Sequence, residues 1–234
     1  MIRALKSPSE GPALSASDPA AVLQLKVWLV GISPMVWRRM LVPAAFTLRE
    51  LHGVFQVVMG WEGHHLFQFG LRAAHYGSWE LSASSPDVTL AVLQLRKGAR
   101  FSYEYDLNIP WEHEVRVEGR LMRELGTIYP TCVGGSGHCP PEDCGGPERF
   151  MTHREDATSW EAIEELRELA DVLGEVSISR NAAPLDEEFR WRLERAVELG
   201  KARVRAQGRP FVRRSVNARL RKGEHHDLMH QQQW

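Results

Sequence analysis

No apolar run in this chain of 234 residues approaches the roughly 20 residues that a membrane-spanning helix requires. The N-terminus also lacks the charged-then-apolar order of a secretory signal, so a cytoplasmic location is expected. Cysteine is scarce: three residues, an odd number, all within residues 129–150. That is a poor disulfide framework for a chain of this size and fits a reducing compartment, with the thiols free or on a metal. Paired CxxC knuckles and any complete catalytic motif are missing. So is a charge excess, since a net charge of −1 excludes a uniformly basic nucleic-acid binder while leaving local patches open.

What is present is concentrated in residues 129–150, YPTCVGGSGHCPPEDCGGPERF. Gly supplies backbone angles closed to other residues and Pro fixes φ, so this composition predicts a shaped, irregular loop with no helix or strand interior. The motif residues Pro140, Pro141, Glu142, Asp143, Gly145 and Gly146 form either a site or a fixed corner.

The remaining chain shows a regular order. Residues 1–20, rich in Ser, Pro and Ala without periodicity, predict a disordered leader. Leu23, Leu25, Val27 and Leu29 alternate with polar residues and Trp28, a strand with one buried face. Residues 36–42 are extended and pair with it as a hairpin. Thr47 with Glu50 makes a capping box, and Leu48, Leu51, Val54, Phe55 and Val58 follow at helical spacing until Gly60. Trp61 is expected to anchor against the sheet. Residues 65–71 predict a strand, and residues 100–107 with 112–121 a second hairpin. Residues 88–95 are apolar but too short to classify.

This order predicts an α+β fold, an antiparallel or mixed sheet on one main helix, β-grasp-like in one realisation. A domain over residues 21–155 is expected to fold on its own. Residues 156–200 would add an acidic helical extension, with Phe189, Leu193, Ala196 and Val197 facing inward, and 201–234 a flexible basic tail.

The segments LKVWLVGISPMVWRRMLVPAAFTLRELHGVFQVVMGW, FSYEYD, WEHEV, YPTC and CPPEDCGG, in that order, resemble the plasmid pRiA4b ORF-3-like family. Its members include insertion-element passenger proteins sometimes labelled TnpR. The resemblance covers residues 23–150 and fades beyond. It implies an α+β domain of unassigned activity and an association with mobile elements. Leu107, Asn108, Ile109 and Pro110 replace the acidic turn usual in the family, and Cys144 stands where Val or Cys occurs.

Four constellations carry chemistry. Cys132, Cys139, Cys144 and His138 offer ligands for a zinc ion, or pack as small hydrophobes. Asp106, Glu112 and His113 at a hairpin turn offer an acid–base or metal-bound set, or a solvated edge. On a strand, however, Glu112 and His113 take opposite faces. His64 and His65 read as one buried and one exposed ring. Trp37, Arg38 and Arg39 could hold a phosphate or stack on a base, or pair with acidic helices.

Residues 201–222 contain no acid, and Arg203, Arg205, Arg209, Arg213, Arg214, Arg219 and Arg221 would give weak, sequence-independent nucleic-acid binding. A binding or interaction module, accessory to a mobile element or regulator, is the expected function. A metal-dependent hydrolase using the cysteine loop and the Trp-Glu-His turn is the alternative.

Overall fold

A computed structural model describes residues 18–78, 82–156, 160–178 and 187–230. The expected leader therefore lies outside the described residues except for its last three positions.

Alternation builds the first hairpin. In β1 (Ala21–Leu29), Leu23, Leu25, Val27 and Leu29 are buried while Gln24, Lys26 and Trp28 are half-buried on the opposite face. β2 (Trp37–Pro43) pairs antiparallel with it, setting Trp28 opposite Trp37 and Lys26 opposite Arg39. Then α1 (Leu48–Met59) starts at Thr47, whose side chain accepts from the Glu50 backbone N–H at 3.1 Å while the Glu50 carboxylate accepts from the Thr47 N–H at 2.7 Å. Gly60, at φ 88°, ends it in the left-handed region.

The remaining strands are β3 (Phe67–Leu71), β4 (Ala74–Gly77), β5 (Arg100–Tyr105), β6 (Trp111–Met122) and β7 (Thr131–Ser136). They join one sheet in the order β4-β3-β5-β6-β1-β2-β7, with every neighbouring pair antiparallel. The fold is α+β, and of the two expected sheet types it is the antiparallel one. α1 covers one face, where Phe55, Phe67, Phe69, Tyr103, Tyr105 and Trp111 form the aromatic centre of the core. Residues 88–95 form turns, with Leu90 buried and Thr89 bridged to Thr47.

Three expectations are corrected. Residues 129–150 are not wholly irregular: they contain β7 and the start of α2 (Gly146–Asp156). β7 is an edge strand in which glycine makes room, since a Cβ on Gly135 would lie 2.7 Å from the Phe211 ring and 2.9 Å from Arg38 Cδ. Of the expected inward face of the second extension helix, Val197 is exposed and Leu193 half-buried, while the Phe189 and Ala196 side chains lie outside the described residues.

The third correction concerns the tail. After α3 (Trp160–Ile178), α4 (Glu187–Gln207) continues well into the segment expected to be flexible. Beyond it α5 (Arg213–Lys222) packs on β7 and α1, and α6 (Glu224–Leu228) packs on α1. Leu220, His225 and Leu228 are buried there. A Cβ on Gly53 would sit 2.0 Å from the His225 carbonyl oxygen, so glycine alone permits this approach. On the opposite, open face Lys26, Trp28, Trp37 and Arg39 are half-buried.

Candidate functional site

Segments distant in the chain meet just past the end of α1. Trp61 is 2% exposed, stacked on Tyr105 with ring centroids 5.1 Å apart and edge-on to His113 at 5.3 Å. Its Nε1–H donates to the Pro140 carbonyl at 2.9 Å. The Glu142 carboxylate accepts from the Glu62 backbone N–H at 2.8 Å and from the Tyr105 hydroxyl in a short bond. Burial first, then the Glu142 carboxylate, raises the Tyr105 hydroxyl well above its usual range, so it remains a donor. Cys139 and Arg209 exchange two backbone hydrogen bonds at 3.2 and 3.1 Å. The motif loop is thus latched: Pro140 and Glu142 are its tie points, Pro141 and Gly145 are half-buried, and buried Gly146 packs where a Cβ would meet Ile109 at 2.3 Å.

Two of the three cysteines lie in the packed core. Cys132 and Cys139 are buried and Cys144 is half-buried. Burial raises all three thiols, Cys139 to about 12, which keeps them protonated at neutral pH. The Cys132 thiol donates to the Gly134 carbonyl at 3.4 Å, and His138 is exposed. Among the described residues no group of three or more His, Cys, Asp or Glu side chains is placed to hold a metal ion.

The acid–base candidates separate as the strand period requires. His113 is 1% exposed on the helix-covered face, whereas Glu112 is exposed on the other. The His113 Nδ1–H donates to the carbonyls of Trp111 at 2.8 Å and Tyr103 at 3.2 Å, and burial lowers the ring to about 4, so it is neutral. Asp106, at φ 60°, accepts from the backbone N–H groups of Asn108 and Ile109 at 3.3 and 3.4 Å and shapes the turn. His64 is exposed beside Glu62, and half-buried His65 lies 3.8 Å from Asp106 and 3.7 Å from exposed Asp143.

Arg38 is no surface cation. At 1% exposure it donates to the carbonyls of Val58, Trp37, Ser136 and Gly137, and its guanidinium lies 4.2 Å from the Phe211 ring centroid. Arg39 points to the open face, paired with Glu118 at 2.5 Å and 5.1 Å from the Trp37 ring centroid. Lys26 Nζ sits 5.5 Å from the Trp28 ring and 5.0 Å from the Trp37 ring. Lys26 and Trp28 were not singled out as site residues from the sequence. Their alternation with buried residues gave their face, but only the register shows that Trp28 stands opposite Trp37.

Acids are unevenly distributed over the strands of the described sheet. β1, β2 and β7 contain no acid, with Lys26 and Arg39 on the open face and Arg38 on the buried one, and α5 beside β7 contains Arg213, Arg214, Arg219, Arg221 and Lys222, again with no acid. β5 and β6 carry Glu104, Glu112, Glu114 and Glu118 interspersed with Arg100, Arg116 and Arg120. Several tail arginines have internal partners: Arg209 lies 3.6 Å from Glu62, Arg213 donates to the Val133 carbonyl at 3.2 Å, Arg219 pairs with Glu224 at 2.5 Å and Arg221 donates to the Asn217 carbonyl at 3.1 Å. Arg214 is exposed, while Arg203 and Arg205 are on α4 with side chains outside the described residues. No described helix is long and apolar enough to cross a membrane.

Two relatives are similar to this chain. The uncharacterized protein y4hQ of Sinorhizobium fredii is 39% identical over 134 residues, covering 55% of this chain and 69% of that protein. A solved protein of unknown function from Methanosarcina mazei Go1 is 31% identical with a TM-score of 0.57, covering 60% of this chain and 83% of that one. The plasmid pRiA4b ORF-3-like protein model matches residues 21–183, past the end of the motif resemblance at Phe150 and into the extension. With its motif residues gathered at one latch, the chain belongs to the plasmid pRiA4b ORF-3-like family.

Proposed function

We propose that this protein is a binding module that takes single-stranded nucleic acid on the open sheet face of β1, β2 and β7, beside α5. The observation that carries this reading is the Trp28–Trp37 pair, set opposite each other on two adjacent acid-free strands and flanked by Lys26 and Arg39. Indole faces accept stacked bases irrespective of sequence, and neighbouring cations neutralise the phosphates that accompany them. Arg213 and Arg214 at the start of α5 extend the cationic surface past the β7 edge.

Metal-dependent hydrolysis has less support. A hydrolytic site needs an accessible base or ligand set, and here the His113 ring is buried and neutral, the thiols are protonated, and Glu142 is engaged by Tyr105. The latched loop acts as a fixed corner that holds the end of α1 against the sheet. Contact with single strands also accords with the mobile-element association that the resemblance implies.

Photocrosslinking of a bromouridine-substituted oligonucleotide, followed by peptide mass spectrometry, tests the placement. Crosslinks are expected on the peptides carrying Trp28 and Trp37. Crosslinks confined to the helices after Phe150, or none at all, would contradict it.

A further inference from the structure

We propose a separate small-molecule site at the far end of the sheet: a cavity of about 500 Å³ between the β3–β4 hairpin and the turn leading into β5, which accepts an organic anion with an apolar body. Leu71, Tyr76 and Leu95 supply its floor, and Arg72, Arg96 and Arg100 its rim. Leu71 and Leu95 are each 6% exposed and Tyr76 is half-buried, whereas the three arginines are exposed.

The volume falls within the roughly 300–1,000 Å³ range of ligand pockets, and an apolar wall with a few convergent polar groups is their usual composition. No acidic residue lines the cavity. Arg100 already pairs with Glu114 at 2.7 Å, while no ion pair among the described residues involves Arg72 or Arg96. Two guanidinium groups beside an apolar floor select a carboxylate, sulfonate or phosphate carried on an aryl or alkyl body, because guanidinium matches such anions through paired N–H donors.

The walls are preformed. The Gly98 N–H donates to the Val117 carbonyl at 2.8 Å, the Val117 N–H to the Ala99 carbonyl at 2.9 Å, and Arg120 Nη1 to the Leu95 carbonyl at 3.2 Å. The backbone is also unusual here. Arg72 at φ 56° and Gln94 at φ 49° both line the cavity, in a region that side chains other than glycine rarely occupy. Glycine would be the easier residue in the hairpin turn at position 72, so the arginine there points to use of its side chain.

The test uses the full-length protein and 8-anilinonaphthalene-1-sulfonate, an aryl anion whose fluorescence rises on entering an apolar pocket. Saturable binding is expected, displaced by 1-naphthoate or 1-naphthyl phosphate but not by neutral 1-naphthol. Arg72→Gly and Arg96→Ala are each expected to weaken it about tenfold, the loss of one charge-assisted contact. Arg72→Gly removes the charge while relieving the positive φ, so its Tm is expected to hold or rise as binding falls, which separates lost affinity from lost folding. Displacement by 1-naphthol as effective as by the anions, or an affinity within about twofold of wild type in both variants, on the tenfold scale of a charged contact, would overturn the proposal.

Discussion

The buried imidazoles set the chemistry of the core. The Tyr103 hydroxyl lies 2.7 Å from His52 Nδ1 and accepts from Gln56 Nε2 at 2.9 Å, which ties the middle of α1 to β5 without any charge. Burial lowers His52 to about 3 and His113 to about 4. A folded-state pKa below the unfolded value means that the unfolded chain binds more protons. The stabilisation is therefore complete above about pH 6.5 and is lost as pH falls toward 4. Between pH 6.5 and pH 5 each ring should cost on the order of 2 kcal/mol. Urea denaturation at pH 7 and pH 5 measures this. His113→Asn, which keeps a side-chain N–H donor but does not titrate, is expected to remove about half of the loss attributed to the two rings; an unchanged loss would assign it elsewhere.

At the scale of elements, α5 and α6 pack against α1 and β7. Asn217 on α5 clasps β7, accepting from the Cys132 N–H at 2.7 Å and donating to the Cys132 carbonyl at 2.9 Å. Gly53→Ala would force its methyl into the α6 backbone, and overpacking of this kind should destabilise the chain by about 1–3 kcal/mol. A thermal melt checks this, and an unaltered Tm would mean that α6 does not dock on α1. Much of the fold was legible in the sequence because its signals are local. The Thr47–Glu50 cap and Gly60 marked both ends of α1, and alternation marked β1, β5 and β6. β7 was hidden because Gly134, Gly135 and Cys132 spell a loop by composition, and only pairing with β2 makes them a strand. α5 and α6 were hidden because their docking partners, Cys132 on β7 and Gly53 on α1, lie far upstream of Asn217 and His225, beyond the reach of any local signal. Of the candidate site, the period of two correctly parted Glu112 from His113. It could not tell that Arg38 would be spent on four carbonyls while Lys26 and Trp28 would stand beside Trp37.

Across the described sheet the acids lie on β5 and β6, among Arg100, Arg116 and Arg120, whereas β1 and β2 carry Lys26, Arg39 and the two indoles and no acid. Such a surface gives a polyanion one preferred place and orientation even though the net charge is only −1. The family motifs around Trp61, Tyr105 and Glu142 then hold the scaffold, and the proposed binding surface is the face that they leave open. The most direct test is fluorescence anisotropy of a labelled oligothymidylate titrated with the full chain over a series of salt concentrations. The account predicts binding that weakens steeply with salt. Trp28→Ala with Trp37→Ala should lower affinity by about 1–3 kcal/mol per lost stack at an unchanged salt slope. Arg213→Ala with Arg214→Ala should flatten the slope by about 0.7 for each phosphate contact removed. Absence of binding at low salt, or binding indifferent to Trp28 and Trp37, would contradict it.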